Sequence, residues 1–198
     1  MAQTSTSETG MTDAPLTALV LLFEGFEEIE AFTPVDLLSR AGITVTLANI
    51  DSGESVTGRS GITVQTTQSF ETLAAQKFDC LILPGGPGIA KLRKHPLLCE
   101  TLREYHQSKR ILGCICAAPL LLLDAGILPG PAYTCHPAAE DELSDASQQA
   151  VIQDQHCITA RGAGTALAFS LALIQHLVDN ETAQTIAQAI CAPEHPDL

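Results

Sequence analysis

The chain has 198 residues, 45% of them apolar and 17% charged, with a formal net charge of -13. This fits one soluble globular domain with enough chain to bury a core. The acidic balance argues against nucleic acid as a partner, because phosphate binding needs a basic surface, and no run approaches the roughly 20 apolar residues of a membrane span.

Residues 1–16 read as a disordered N-terminal extension. The stretch is rich in Ser and Thr, carries no Lys or Arg, and lacks the charged start and apolar core of a signal peptide. Met11 is an alternative start. Thr17 to Phe23 is a short, bounded apolar run, so a buried strand. After the loop Glu24 to Glu27, a helix is expected over about Glu28 to Arg40, with a kink or a late restart at Pro34 and a stop at Ala41-Gly42. Ile43 to Ile50 is the second strand, and this β-α-β opening implies a parallel sheet covered on both faces.

Asp51 to Gly61 reads as a loop or hairpin and Ile62 to Thr66 as a short edge strand. Ser69 to Glu71 lead into a short helix. Asp79 to Leu83 is a buried strand that ends in Pro84-Gly85-Gly86-Pro87-Gly88. Two helical stretches follow, about Ile89 to Lys94 and Pro96 to Ser108. Arg110 to Cys114 is the next strand. It breaks into Ile115-Cys116-Ala117-Ala118-Pro119 and continues as a leucine-rich helix. Further on, Tyr133 to Cys135 reads as a short strand before His136-Pro137. Val151-Ile152 and Cys157 to Ala160 form two strands around a turn. Arg161 to Thr165 open a long helix to Val178, a last helix runs from about Glu181 to Cys191, and residues 193–198 are a tail. There are no internal repeats. Residues 17–192 are therefore expected to form a single doubly wound α/β domain with a mostly parallel sheet and helices on both faces.

A nucleophile-type residue at a strand-to-helix switch has the geometry of a nucleophile elbow, which lifts the side chain above the sheet. Cys116 occupies that position, and the following helix should aim its amides and positive dipole end at the thiol, favouring the reactive thiolate. The bland reading is a small buried thiol. Cys114 reads as core, or as a second thiol able to resolve an oxidised Cys116. On a strand the two would share a face. The seven cysteines are spread through apolar runs, which suits buried thiols in a reducing cytoplasm better than a disulfide framework. No zinc-type ligand spacing is recognisable, so no metal is expected.

In open α/β sheets, sites form beyond the carboxyl ends of the strands. There the chain offers a thiol, an imidazole, carboxylates and a glycine-rich turn. Pattern alone favours Glu30 as a solvated carboxylate at a helix start, like Glu27 and Glu28. The functional alternative is a carboxyl kept protonated by burial beside a thiolate. His136 is either a base that orients or deprotonates Cys116 or a surface histidine. The other histidines read as structural. The Pro84 to Gly88 turn either offers amides to an oxyanion or is a plain tight turn. It lacks the Lys and Ser/Thr of a phosphate loop.

These residues together resemble the ThiJ/PfpI superfamily, in the branch of the parkinsonism-associated deglycase (DJ-one) and its bacterial relatives. The resemblance covers about Ala18 to Cys191. It rests on Glu27-Glu28-Ile29-Glu30, the helix from Pro34 to Gly42, Leu83-Pro84-Gly85-Gly86, Ile115 to Pro119, His136-Pro137 and Thr159 to Thr165. It implies a flavodoxin-like fold, a homodimer, and an oxidation-sensitive Cys116 hydrogen-bonded by protonated Glu30. Backbone amides of Gly85, Gly86 and Ala117 would serve oxyanion and substrate. Arg40 and Arg59 match arginines near the family's dimer interface and site. The implied activity is cofactor-free conversion of methylglyoxal or glyoxal to hydroxy acids, or deglycation of proteins and nucleotides. The implied alternative is a redox-sensing stress protein or chaperone regulated at Cys116. Cys114 departs from the Ala that relatives often carry, and the extra motif of the protease-like branch is missing.

Overall fold

The computed structural model describes residues 14–193 except 52 and 67. Most of the N-terminal extension and of the C-terminal tail therefore lies outside the described residues. The core is a six-stranded sheet in the order β2-β1-β5-β6-β8-β7. Its strands are β1 (Thr17–Leu22), β2 (Thr44–Asn49), β5 (Cys80–Leu83), β6 (Ile111–Ile115), β7 (Val151–Asp154) and β8 (Cys157–Ala160). All neighbours run parallel except β7, which returns antiparallel along β8 at one edge. Two short strands, β3 (Ser55–Thr57) and β4 (Thr63–Gln65), form a separate antiparallel hairpin. Ile62 to Thr66 is thus half of a hairpin and not an edge of the main sheet.

Strands β5, β6 and β8 are buried along their whole length. That follows from apolar runs covered on both faces, as parallel strands joined by helices must be. Helices α1 (Glu28–Arg40) and α6 (Ala166–Leu177) pack on each other, and α6 also lies on β6, β7 and β8. Gly113 of β6 lets it come close: a Cβ there would stand 3.0 Å from the Phe169 ring and 3.1 Å from Leu173. Helix α4 (Pro96–Gln107) packs on β6 and on α5 (Pro119–Asp124), and α7 (Asn180–Ala189) on α6. Two single-turn helices, α2 (Phe70–Leu73) and α3 (Ile89–Leu92), complete the layers. This is the flavodoxin-like α/β arrangement expected of the sequence. No helix among the described residues is long and apolar enough to cross a membrane.

Two local expectations change. Helix α1 runs unbroken through Pro34; the ring removes only the amide that would bond the Glu30 carbonyl. Tyr133 to Cys135 is no strand. Thr134 makes a single bridge to Ser147, and its amide donates to Thr159 Oγ1 at 2.9 Å, so no ladder propagates.

Candidate active site

The chain leaves β1 towards β2 on one side and later returns to place β5 and β6 on the other. Loops that leave β1 and β5 therefore splay apart, and the crevice between them is where α/β sheets hold ligands. The loops after β1, β5, β6 and β8, with the β3–β4 turn and the segment before β7, line a cavity of about 420 Å³ that includes Glu30, Arg59, Gly86, Cys116, Ala117, His136 and Ala163.

Cys116 follows β6 directly and has φ of 66°. A non-glycine residue in the left-handed region is strained and persists only where its surroundings hold it. Here its amide donates to the Ala160 carbonyl at 2.8 Å, and its carbonyl accepts from the His136 amide at 2.9 Å. The backbone is pinned from both sides and the side chain turns out of the sheet into the cavity. Cys116 is partly exposed, whereas Cys114 is wholly buried, and both are free thiols. The shared strand face expected for the pair is absent, because β6 ends at Ile115 and the left-handed turn redirects Cys116. Cys114 therefore belongs to the core.

Glu30 lies in the first turn of α1 and is 1% exposed. The expectation of a solvated carboxylate fails for Glu27 and Glu28 too, which are both buried. Glu27 caps α1 by accepting the Glu30 amide at 2.8 Å. Glu28 accepts the Ser60 amide at 2.7 Å and the Ser60 hydroxyl at 3.1 Å, tying α1 to the β3–β4 hairpin. Glu30 instead points at the thiol. Its Oε2 accepts the Gly85 amide at 2.7 Å, and the Ala163 amide also bonds the carboxylate. Burial pushes its pKa up to about 7, against those amides, with the neighbouring Glu27 charge adding to the rise.

Cys116 is affected in the same direction. Burial comes first, then the charge and hydrogen bond of Glu30, and together they push the thiol up to about 12, while the Ala117 and Gly86 amides pull it down. The lowered thiol expected from the α5 dipole is not found, since α5 is only six residues long and Cys116 sits beside a buried carboxylate. The two groups are better described as one coupled pair. The first proton leaves near pH 7 and the second stays on the pair to much higher pH. When the remaining proton resides on Glu30, the sulfur is a thiolate that accepts from the carboxyl and from two amides.

The glycine turn after β5 fits this pair closely. A Cβ on Gly85 would stand 2.6 Å from Cys116 Cβ, 2.7 Å from Glu30 Oε2 and 2.9 Å from Cys116 Sγ. Gly86 has φ of 111°, and a Cβ there would lie 2.4 Å from the Gly25 carbonyl oxygen. The Gly85 amide is spent on Glu30 and does not face the sulfur, so the amides beside the sulfur are those of Gly86 and Ala117.

His136 is exposed at the cavity wall. Its Nδ1 accepts the Ala138 amide at 3.1 Å. A neutral ring held this way carries its proton on Nε2. It can therefore donate into the cavity, and the role of base towards Cys116 does not fit this tautomer. Arg59 also lines the cavity and makes no ion pair among the described residues. Arg40 does not reach it: it pairs with Asp36 at 2.9 Å on the outside of α1. Ala163 and Glu27 are site residues that the sequence reading misses. Ala163 acts through its backbone and leaves no side-chain signal.

The model of the DJ-1/PfpI family matches residues 16–176. The chain is 34% identical to "Protein dj-1beta" of Drosophila melanogaster over 178 residues, covering 87% of this chain and 95% of that protein. It is 33% identical to "Glutathione-independent glyoxalase DJR-1.2" of Caenorhabditis elegans, covering 90% and 97%. Among solved structures, "Toxoplasma gondii DJ-1, oxidized" superposes with a TM-score of 0.86 at 28% identity, covering 90% of this chain and all of that one.

Proposed function

We propose that this chain, which belongs to the DJ-1/PfpI family, is a cysteine enzyme that converts methylglyoxal or glyoxal to the hydroxy acid without glutathione. The observation that carries the reading is the coupled Cys116–Glu30 pair, set on a left-handed elbow at the floor of an open cavity. Similarity to a protein named as a glutathione-independent glyoxalase supports it. Removal of early glycation adducts from proteins and nucleotides would use the same thiol and is the wider substrate class.

The Cys116 thiolate attacks the aldehyde carbon, and Glu30 gives its proton to the new oxyanion, forming a hemithioacetal. The Gly86 and Ala117 amides stabilise charge next to the sulfur during attack. Glu30, now ionised, takes the proton from that carbon, giving an enediolate. It returns that proton to the neighbouring carbon, and the proton of the former aldehyde hydroxyl passes to the neighbouring oxygen as that hydroxyl becomes the carbonyl, with His136 Nε2–H hydrogen-bonding the oxygen that receives it. The product is a thioester of the hydroxy acid. Water hydrolyses it, releasing lactate or glycolate and restoring the thiolate with a protonated Glu30. Water is the one atom source added, so the steps balance as aldehyde plus water to acid. The thiol adduct anchors substrate in place of glutathione.

A second reading has support from the same geometry. A partly exposed thiolate beside a carboxyl that can donate to a sulfinate oxygen suits a peroxide sensor. Lactate production from methylglyoxal, followed without glutathione, separates the two. The enzyme reading expects Cys116→Ser to lose at least about 10³-fold in rate, of the order that removal of a nucleophile costs. Negligible wild-type turnover with ready peroxide oxidation of Cys116 would replace it by the sensor. We also propose that the chain is a homodimer and works in the cytoplasm.

A further inference from the structure

At the other end of the sheet, the β7–β8 turn gathers a second group of ligand-type side chains. Asp154 pairs with Cys157 across the hairpin, and Gln155 and His156 close it, with Gln155 at φ of 55°. Cys157 is in register with Leu112 of β6, four residues before Cys116. The turn is thus about 13 Å along the strand direction from the elbow. Helix α4 ends beside it and brings His106 from its last turn.

His156 Nε2 and His106 Nδ1 are 2.9 Å apart, with the ring centroids at 4.7 Å. One ligand atom from each of His106, His156 and Cys157 lies within 4.8 Å of the others. His156 is 7% exposed and Cys157 1%. These histidines read from the sequence as structural, lying on a helix and a turn, and 50 residues separate them. The fold alone makes them neighbours.

We propose that His106, His156 and Cys157 form a zinc site, with water in the fourth position. Two imidazoles and a thiolate are borderline-soft donors that suit Zn²⁺ and not Mg²⁺ or Ca²⁺. Zinc bonds of 2.0–2.3 Å in a tetrahedron place neighbouring ligand atoms roughly 3.3–3.6 Å apart, slightly wider than the 2.9 Å between the two ring nitrogens and inside the 4.8 Å within which all three ligand atoms lie. On binding, the Cys157 thiol loses its proton to solvent. The ring that donates in the His106–His156 hydrogen bond moves its proton to its other nitrogen. Asp154 offsets the added positive charge. Lys109 and His176, which also face His156, oppose it, although His176 Nδ1 is engaged by Gln153 at 2.5 Å. The ion would clamp the end of α4 to the edge hairpin.

Co²⁺ is the spectroscopic probe, added to the full chain and competed with Zn²⁺. The expected result is one equivalent bound, with thiolate-to-cobalt charge transfer in the near ultraviolet, displaced by one equivalent of Zn²⁺. The band persists in Cys116→Ser and is lost in Cys157→Ser. His106→Ala, at a partly exposed helix end, weakens zinc binding by at least about tenfold, abolishes the rise in Tm that zinc gives the wild type, and leaves aldehyde turnover unchanged. A band lost in Cys116→Ser, a band that survives Cys157→Ser, unaltered affinity in His106→Ala, or no binding at micromolar metal would each overturn the site.

Discussion

At the scale of residues, the site depends on the absence of side chains as much as on their presence. Gly85 lies where any Cβ would meet Cys116 and Glu30 within 3 Å. Gly85→Ala is therefore expected to push the thiol and carboxyl apart and lower kcat by about 10²-fold, the scale of a 1 Å misplacement. The fold should remain, because the contacts displaced are those of the site; unchanged kcat would show that the pair needs no close approach. The thiol was legible in the sequence because a strand broken by small residues and a proline marks an elbow. Glu30 was legible through the family resemblance but not from pattern, because three glutamates within four positions look alike until tertiary packing buries them and gives each a different partner. The His136 position was legible, but its proton was not. The Ala138 amide fixes the tautomer, and that contact exists only once the loop has turned.

At the scale of elements, the helix layer around α5 is held by a charged clasp. Arg93, just after α3, makes two hydrogen bonds to Asp124 at the end of α5, at 2.5 and 2.8 Å, and two to Glu142, both at 2.9 Å. The Asp124 side chain is only 4% exposed. Its carboxyl is held below the usual range chiefly by the Arg93 hydrogen bonds. Arg93→Ala leaves that carboxylate with the Lys94 amide alone and is expected to destabilise the fold by about 2–3 kcal/mol, read by urea denaturation. A loss under 0.5 kcal/mol would mean that water replaces the arginine freely. The clasp was invisible in the sequence, as its three residues span 49 positions. Strands β1, β5, β6 and β8 were legible because each is a bounded apolar run. Tyr133 to Cys135 misled for the same reason: the segment is apolar and buried, but its amide is satisfied by a threonine hydroxyl.

At the scale of the molecule, the parallel sheet was implied by the β-α-β opening, whereas association leaves a weaker trace. Ile29 and Ile62 are each 54% exposed. Ile29 adjoins Glu28 on α1 and Ile62 follows the Ser60 turn of the hairpin, so both exposed side chains belong to the surface around the Glu28–Ser60 contact. The proposed homodimer would cover it. The Ile29→Glu, Ile62→Glu double variant is expected to sediment as a monomer while the wild type sediments as a dimer. A wild type that stays monomeric at micromolar concentration would overturn the dimer.

In the proposed enzyme, Cys116 and Glu30 hold a single proton between them near neutrality. The rate of Cys116 alkylation by iodoacetamide, measured against pH, reports on that proton. Below about pH 7 both groups are protonated and the thiolate is scarce. Above it, the pair has lost one proton, and the fraction with the remaining proton on Glu30 is constant. The rate should climb about tenfold per pH unit up to about 7 and then level off. In Glu30→Gln that break should vanish and reactivity should rise only at the pH where a buried thiol ionises by itself. A wild-type curve with one break at pH 9 or above, superimposable on that of Glu30→Gln, would contradict the shared proton.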